Sequence, residues 1–205
     1  MARQQAANHP ERHARGARAR ELRIIAGRWR GRRWRFPDTS LRPTPDRVRE
    51  TLFNWLQRDV AGCRCLDLFA GSGALGLEAL SRGAAWVQFV DADAKAARAL
   101  DSLLHGWGAD NASVFRGDAQ DWLHGAPQPF DLVFLDPPFG GGLLTPVCAR
   151  LAAGGWLAPG ARIYVESPKD VSWAPPPGWQ ALKSGSAGAV GYHLYQFANG
   201  PEQGQ

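Results

Sequence analysis

The sequence predicts an α/β fold with a mostly parallel sheet. Short apolar runs typical of buried strands alternate with segments of helical periodicity along residues 65–166. Glycine-rich turns or acidic residues follow these runs, and open α/β sheets bind ligands at the carboxyl ends of their strands. Two later runs, 179–184 and 192–197, flank a glycine-rich turn and indicate a closing antiparallel hairpin. The 205 residues, 44% of them hydrophobic, suffice for one such domain with short extensions.

The amino-terminal quarter differs from the rest of the chain in charge. Residues 1–50 hold 14 arginines and five acidic residues, a net charge of +9, whereas the other 155 residues have a net charge of −4. Residues 1–21 have the composition of a disordered basic arm, and residues 22–41 are predicted to form a basic β-hairpin and a linker. The main domain is expected to cover residues 42–198, and the tail 199–205 is expected to fray.

Tryptophans interleave with arginines in the predicted hairpin. Arginines make phosphate contacts and tryptophans can stack on bases, so the pattern favours nucleic-acid binding. The alternative is that the aromatic rings pack the hairpin onto the main domain while the arginines stay solvated, since an isolated hairpin is marginally stable. We expect a mixture, in which Trp29 and Phe36 pack and the arginines contact RNA. Those arginines are Arg28, Arg30, Arg32, Arg33 and Arg35.

An amphipathic helix follows the linker. Thr44 is predicted to be its N-cap, with Pro45 at the first helical position, where a proline ring is favourable. The apolar positions lie at helical spacing and should dock on the sheet: Val48, Leu52, Phe53 and Leu56.

The first strand of the main domain, 65–70, leads into a glycine turn. Residues 74–82 then have helical periodicity, with Gly83 as the C-cap. In this layout the backbone approaches a ligand closely, because no Cβ intervenes. Asp67 precedes the turn and would repel a pyrophosphate, which disfavours NAD and favours S-adenosylmethionine. The candidate cofactor-binding residues here are Asp67, Phe69, Ala70, Gly71, Ser72 and Gly73.

The next predicted strand, 86–90, ends in Asp91. This residue lies 20 positions beyond Gly71, the spacing at which an acidic side chain accepts hydrogen bonds from ribose hydroxyls. Asp93 is assigned instead to the N-cap of a helix over 94–105.

A third strand, 113–116, precedes Asp118. This carboxylate could bind an adenine amine, cap a short helix over 120–124, or do both. Ala92 and Ala119, which follow Asp91 and Asp118, are assigned to the same candidate cofactor site.

The apolar run 130–135 ends in Asp136-Pro137-Pro138-Phe139. Each proline has a fixed φ and pushes the preceding residue towards extended geometry, so the turn is stiff. The Asp136 side chain and the main-chain carbonyls can accept both hydrogens of an exocyclic amine while Phe139 stacks on the ring that bears it. The alternative is an ordinary loop, because proline and aspartate also favour turns after any strand.

These motifs together resemble the S-adenosylmethionine-dependent methyltransferases of the Rossmann-like class. Within that class the chain resembles the RsmD type, which methylates a guanine N2 amine in bacterial 16S ribosomal RNA. The stretch 46–54 is the most family-specific, and Pro45 stands where the family has Thr. The resembling segments span most of residues 22–140 and are 23–27, 29–32, 42–44, 46–56, 67–84 and 136–139.

The resemblance implies a seven-stranded sheet, whereas periodicity alone predicts only alternating α/β structure with a late hairpin. It also implies that Arg42 and Thr44 lie near the mouth of the cofactor site. Predicted elements over 143–153 (helix) and 161–166 (strand) fit this sheet. The implied partner is 16S ribosomal RNA, within a small-subunit ribonucleoprotein particle, and we expect the protein to be a monomer.

Composition argues against a membrane-spanning, secreted or metal-binding protein. No apolar stretch is long enough to cross a bilayer, and the basic amino terminus lacks the apolar core of a signal peptide. Cys63 and Cys65 lack a second Cys/His pair at zinc spacing, so we expect reduced, buried thiols in a cytoplasmic protein and no metal.

Two other functions fit parts of the pattern. A methyltransferase for adenine N6 in DNA would use the same Asp136 turn. A non-catalytic RNA-binding assembly factor could retain the fold, although the complete set of acidic strand ends and glycines argues against decay of the site.

Overall fold

The computed structural model describes residues 20–36, 44–140, 142–171 and 173–198. Nine strands and five helices occur in these ranges. They are β1 (Arg20–Arg23), β2 (Arg33–Phe36), α1 (Asp46–Trp55), β3 (Arg64–Asp67), α2 (Ala74–Ser81), β4 (Trp86–Asp91), α3 (Ala94–Trp107), β5 (Ala112–Arg116), α4 (Ala119–Trp122), β6 (Phe130–Leu135), α5 (Leu144–Ala153), β7 (Leu157–Pro168), β8 (Trp179–Ala187) and β9 (Val190–Phe197). None of the described helices is long and apolar enough to cross a membrane.

Seven of the strands form one sheet in the order β5-β4-β3-β6-β7-β9-β8. The strands from β5 to β7 are parallel, and β9 is antiparallel to both β7 and β8. The predicted seven-stranded Rossmann-like sheet with a carboxyl-terminal antiparallel hairpin is therefore confirmed. Its hairpin is longer than predicted, because β8 and β9 pair up to Ala187 and Val190.

Helices cover both faces of the sheet, as a parallel sheet requires. Along β6, Leu132 and Phe134 pack in the core with α1, α2 and α3, whereas Val133 and Leu135 pack in the core with α5. Neighbouring residues enter opposite layers because side chains alternate along a strand. The uninterrupted apolar run of β6 thus follows from burial on both faces.

The amino-terminal hairpin packs on the main domain through apolar and polar contacts. Ile24, Trp34 and Phe36 are buried in the core that contains α2. The Glu78 carboxylate, on α2, accepts hydrogen bonds from the backbone amides of Ile25 (2.8 Å) and Ala26 (3.0 Å). The hairpin is therefore held against α2 at a defined position.

Gly27 allows the hairpin to approach α2 closely. The residue has φ +83°, and a Cβ added there would lie 1.9 Å from the carbonyl oxygen of Ser81. The same carbonyl accepts a hydrogen bond of 2.8 Å from the amide of Arg28. A side chain at position 27 would therefore displace the hairpin.

The predicted N-cap role of Thr44 is wrong. Helix α1 begins at Asp46 with Pro45 at the N-cap, and its cap has no side-chain hydrogen bond. The Thr44 hydroxyl instead donates to the carboxylate of Glu166 on β7, at 3.1 Å. A buried carboxylate is a stronger acceptor than a neutral group, so the tertiary contact replaces the local one.

Candidate active site

The carboxyl ends of β3, β6 and β7 border a cavity of about 770 Å³. Its walls bring together segments far apart in the chain, and its volume lies in the range of small-molecule sites. The lining residues include Thr44, Asp67, Phe69–Ser72, Asp136–Phe139, Glu166 and the β8–β9 turn, 187–190. Asp67 and the predicted cofactor residues 69–72 therefore share one cavity with the predicted catalytic turn.

The glycine turn after β3 borders this cavity through Gly71 and Ser72. Gly71 has φ +51° and Gly73 has φ +75°, a region that favours glycine. Gly73 is not among the residues that line the cavity; a Cβ there would lie 2.6 Å from Leu100 Cδ1, so it allows α3 to pack. The indole of Trp34 donates to the carbonyl of Ser72 at 2.9 Å, which couples the hairpin to the turn.

Asp67 lies in the floor of the cavity. It is 3% exposed and accepts a hydrogen bond of 2.9 Å from the amide of Gly76. Burial raises the pKa of Asp67 to about 7, although the Gly76 amide partly offsets this. A cation in the cavity would stabilise the ionised carboxylate, so the site suits a ligand with positive charge.

The Asp91 carboxylate binds the backbone of the glycine turn. Its carboxylate accepts hydrogen bonds from the amides of Gly71 (2.5 Å) and Asp93 (2.7 Å). The residue is 8% exposed and is not among the residues that line the cavity. Both carboxylate oxygens have backbone donors, and a carboxylate oxygen can accept more than one hydrogen bond. A contact with ribose would use this remaining capacity.

The predicted N-cap role of Asp93 is confirmed. Its side chain accepts hydrogen bonds from the amides of Lys95 (2.7 Å) and Ala96 (3.3 Å) at the start of α3.

Asp118 caps the short helix α4 by accepting from the amide of Gln120 at 2.7 Å, which confirms one of its two possible roles. The amide of Gly117 donates to the carbonyl of Asp91, so Asp118 and Ala119 follow β5 directly beside the end of β4. Ala92 is exposed and Ala119 is buried, and neither lines the 770 Å³ cavity.

All four residues of the turn after β6, 136–139, line the cavity. Asp136 is partly buried, Pro137 is buried, and the Phe139 ring is 50% exposed at the cavity mouth. Burial and the nearby carboxylate of Glu166 raise the pKa of Asp136 well above its usual range. An exposed aromatic ring beside a partly buried acid can stack on a flat ligand while the acid binds the ligand's polar edge.

Glu166 is a site residue that the sequence analysis missed. It lies in β7, is 4% exposed, and accepts hydrogen bonds from the hydroxyls of Tyr164 (2.8 Å) and Thr44 (3.1 Å). Burial raises its pKa as well. One signal was present: the predicted strand 161–166 ends in an acidic residue, as the neighbouring strands do.

The hairpin arginines are all exposed, and several are held by neighbouring groups. Arg28 lies over the ring of Trp29 at 4.1 Å, and Arg32 lies over the ring of Trp107 at 4.5 Å. Glu21 pairs with Arg33 at 3.0 Å and with Arg35 at 3.9 Å.

The aromatic side chains of the hairpin pack on the main domain, as expected. Trp34 and Phe36 are buried, and Trp29 stacks edge-on against Trp107 with 5.0 Å between ring centroids. The charged side faces solvent, where it is free to meet a polyanion. Arg42, assigned to the cofactor mouth, lies outside the described residues.

Comparisons with known proteins point to one family. A family model described as conserved hypothetical protein 95 matches residues 22–196. Ribosomal RNA small subunit methyltransferase D of Escherichia coli (strain K12) is 47% identical over 178 residues, covering 86% of this chain and 90% of that protein. The protein of the same name from Haemophilus influenzae is 46% identical over 181 residues, covering 86% and 94%.

Solved structures agree with the fold. A methyltransferase candidate from Escherichia coli has a TM-score of 0.82 and 46% identity, covering 87% of this chain and 98% of that one. A 16S rRNA N2 methyltransferase of T. thermophilus, solved with AdoMet and guanosine, shares the fold with a TM-score of 0.64 and 23% identity, covering 87% and 50%.

Proposed function

Since the chain belongs to the family of ribosomal RNA small subunit methyltransferase D, we propose that it transfers a methyl group from S-adenosylmethionine to the N2 amine of a guanine in 16S ribosomal RNA. The observation that carries the proposal is the shared cavity, which Asp136 and Phe139 line together with Gly71, Ser72 and Asp67. A donor bound at the turn and a base held by Asp136 would meet there. We place the substrate within a small-subunit ribonucleoprotein particle.

The residues of the cavity fit S-adenosylmethionine. When bound, it supplies a methyl group on a sulfonium, which is a good leaving group and carries positive charge. We assign Asp67 to a cationic group of the cofactor, because its buried carboxylate needs a compensating charge. We assign Gly71 and Ser72 to backbone approach, Asp91 to the ribose hydroxyls, and Asp118 with Ala92 and Ala119 to the adenine.

The protein's contribution to the reaction is alignment and electrostatics. The lone pair of the guanine amine is delocalised into the ring and is a weak nucleophile. Hydrogen bonds from the amine to the Asp136 carboxylate and the Pro137 carbonyl would favour a pyramidal nitrogen whose lone pair points at the methyl group. Asp136 would also stabilise the positive charge that develops on nitrogen.

The target base must be unpaired or leave its helix, because the guanine N2 amine is otherwise occupied in base pairing. We assign the exposed ring of Phe139 to stacking on this base. We assign the exposed hairpin arginines to contacts with phosphates on either side of the target. These contacts would give affinity and register, while the cavity selects the base.

The test is transfer of a radiolabelled methyl group to 16S RNA and, separately, to assembled small subunits that lack the modification. Digestion of the product to nucleosides should yield N2-methylguanosine. Recovery of N6-methyladenine would favour the DNA-type reaction, and failure of the protein to bind S-adenosylmethionine would favour a non-catalytic assembly factor.

A further inference from the structure

We propose that Asp136 and Glu166 act as one acid pair that holds a single shared proton through the hydroxyl of Thr44, with Glu166 as a positioning residue. The inference rests on the proposed methyl transfer and deepens it. It assigns a role to a buried acid that the methyltransferase motifs leave unassigned. It also says where the proton of the amine can go.

The geometry connects the two acids through one hydroxyl. Thr44 Oγ1 lies 3.1 Å from Glu166 Oε1 and 3.5 Å from Asp136 Oδ2. A hydroxyl has one hydrogen to donate and two lone pairs to accept with. Thr44 can therefore accept from whichever acid is protonated and donate to the other, and its 4% exposure keeps water from replacing it.

The groups around Asp136 and Glu166 disfavour a negative charge on both acids at once. Asp67 adds a third carboxylate that acts on Asp136, and the described residues that line the cavity include no Lys, Arg or His. The groups facing Glu166 from its own strand and from β9 are Tyr164 and Tyr192, both phenols, and Tyr164 donates to it. Two neighbouring carboxylates, Glu166 buried and Asp136 partly buried, are more stable with one compensating proton than as two anions.

The shared proton settles which acid is ionised when the substrate binds. The amine donates more strongly to Asp136 when that acid is ionised, because a carboxylate is a stronger acceptor than a neutral acid, so the proton moves to Glu166. Glu166 then donates to Thr44, and Thr44 donates to Asp136 Oδ2. This series of hydrogen bonds orients the Asp136 carboxylate and leaves its other lone pairs free to accept from the amine.

The transfer step balances with this arrangement. The nitrogen lone pair forms the bond to the methyl carbon, and the electron pair of the carbon–sulfur bond stays with sulfur. The methylated nitrogen is then positively charged and still bears both of its hydrogens. One of them passes as a proton to Asp136. The pair changes from one negative charge to neutral, and it returns a proton to solvent when the product leaves.

The test is a titration of the side-chain carboxyl resonances of Asp136 and Glu166 in ¹³C-labelled protein, without cofactor or RNA. We expect both resonances to follow the same two protonation steps, separated by about 2 pH units or more. In Glu166→Gln, Asp136 should titrate in one step, well below the upper step of the unmodified protein. A single step for Asp136 that Glu166→Gln leaves unchanged would overturn the proposal.

Thr44 provides a second variant with a conservative control. Thr44→Val removes the donor to the single anion, so the lower step should move to higher pH, whereas Thr44→Ser should leave it in place. In the methyl-transfer assay Thr44→Val should lower kcat about tenfold, which corresponds to one hydrogen bond to a charged group, with the Ser variant near the original rate. Equal titration curves for the Val and Ser variants would contradict the relay.

The titration needs neither RNA nor cofactor, so it is independent of the substrate assignment. Failure to methylate 16S RNA with an intact two-step titration would refute the proposed function alone. Normal methylation with a one-step titration would refute the acid pair alone.

Discussion

Glu78 is the residue whose replacement should most directly uncouple the hairpin from the main domain. Its fully buried carboxylate accepts from the amides of Ile25 and Ala26 and from Nε of Arg82 at 2.8 Å. It also lies 3.6 Å from Nη1 of the buried Arg49, a charge contact without hydrogen-bond geometry. Glu78→Gln keeps the shape of the side chain, removes the charge and turns an NH₂ donor towards groups that are themselves donors.

The expected loss of stability follows from the groups that would be left without a partner. Breaking a buried ion pair by neutralising one member costs about 3–5 kcal/mol, because the other charge stays buried. Arg49 would keep its hydrogen bond of 3.0 Å to the carbonyl of Arg23 and one anionic partner, Asp46 at 2.6 Å, whose side chain is 38% exposed. For a chain of this size that loss corresponds to a fall in Tm of about 6–20 °C.

The measurement is thermal unfolding of Glu78→Gln beside Glu50→Gln, which removes an exposed carboxylate on α1. We expect the control to unfold near the original temperature. The affinity for S-adenosylmethionine should also fall about fivefold in Glu78→Gln, because the hairpin holds the glycine turn through the Trp34 hydrogen bond to Ser72. A Tm within about 2 °C of the control would refute the reasoning.

Three further outcomes are expected. Asp136→Ala should lower methyl transfer at least about 100-fold while calorimetry shows nearly unchanged cofactor binding, and equal loss of both would contradict this division of roles. The pKa of Asp67 is raised from 3.8 to about 7, so between these pH values the folded protein keeps a proton that the unfolded chain loses. The free energy of unfolding of the cofactor-free protein should therefore decrease as pH rises from about 4 to 7. Asp67→Asn should flatten this decrease, and cofactor affinity should rise through pH 7 only when Asp67 is present. Replacing Arg33 and Arg35 by Gln should weaken RNA binding, whereas Lys183→Gln on β8 should not. The slope of log K against log salt concentration should become shallower by about 0.7–0.9 for each phosphate that is no longer neutralised, and equal slopes in filter-binding titrations would remove the hairpin from the RNA interface.

Much of the fold and part of the site could be predicted because their causes are local. The uninterrupted apolar run 130–135 indicates a strand buried on both faces, and β6 is such a strand. The position of Asp93 before a helical run predicts its cap, since the amides that it accepts from lie two and three residues away. The prolines of the turn 136–139 restrict its backbone whatever surrounds it.

The parts that were missed or wrong depend on residues distant in the chain. Thr44 has the pattern of an N-cap, yet its hydroxyl binds Glu166, 122 positions later. The Asp91 carboxylate accepts from the amide of Gly71, a hydrogen bond that the family spacing alone does not reveal. Neither interaction leaves a periodicity in the sequence.

The amino-acid sequence by itself determined where strands, helices and stiff turns occur, and which acids stand at strand ends. Those features follow from backbone restriction and from the alternation of side chains over a few residues. Only the tertiary structure decided that Thr44, Asp136 and Glu166 meet in one cavity. That meeting results from the order of strands in the sheet, which places β6 beside β7 and sets the cost of burying their two carboxylates together.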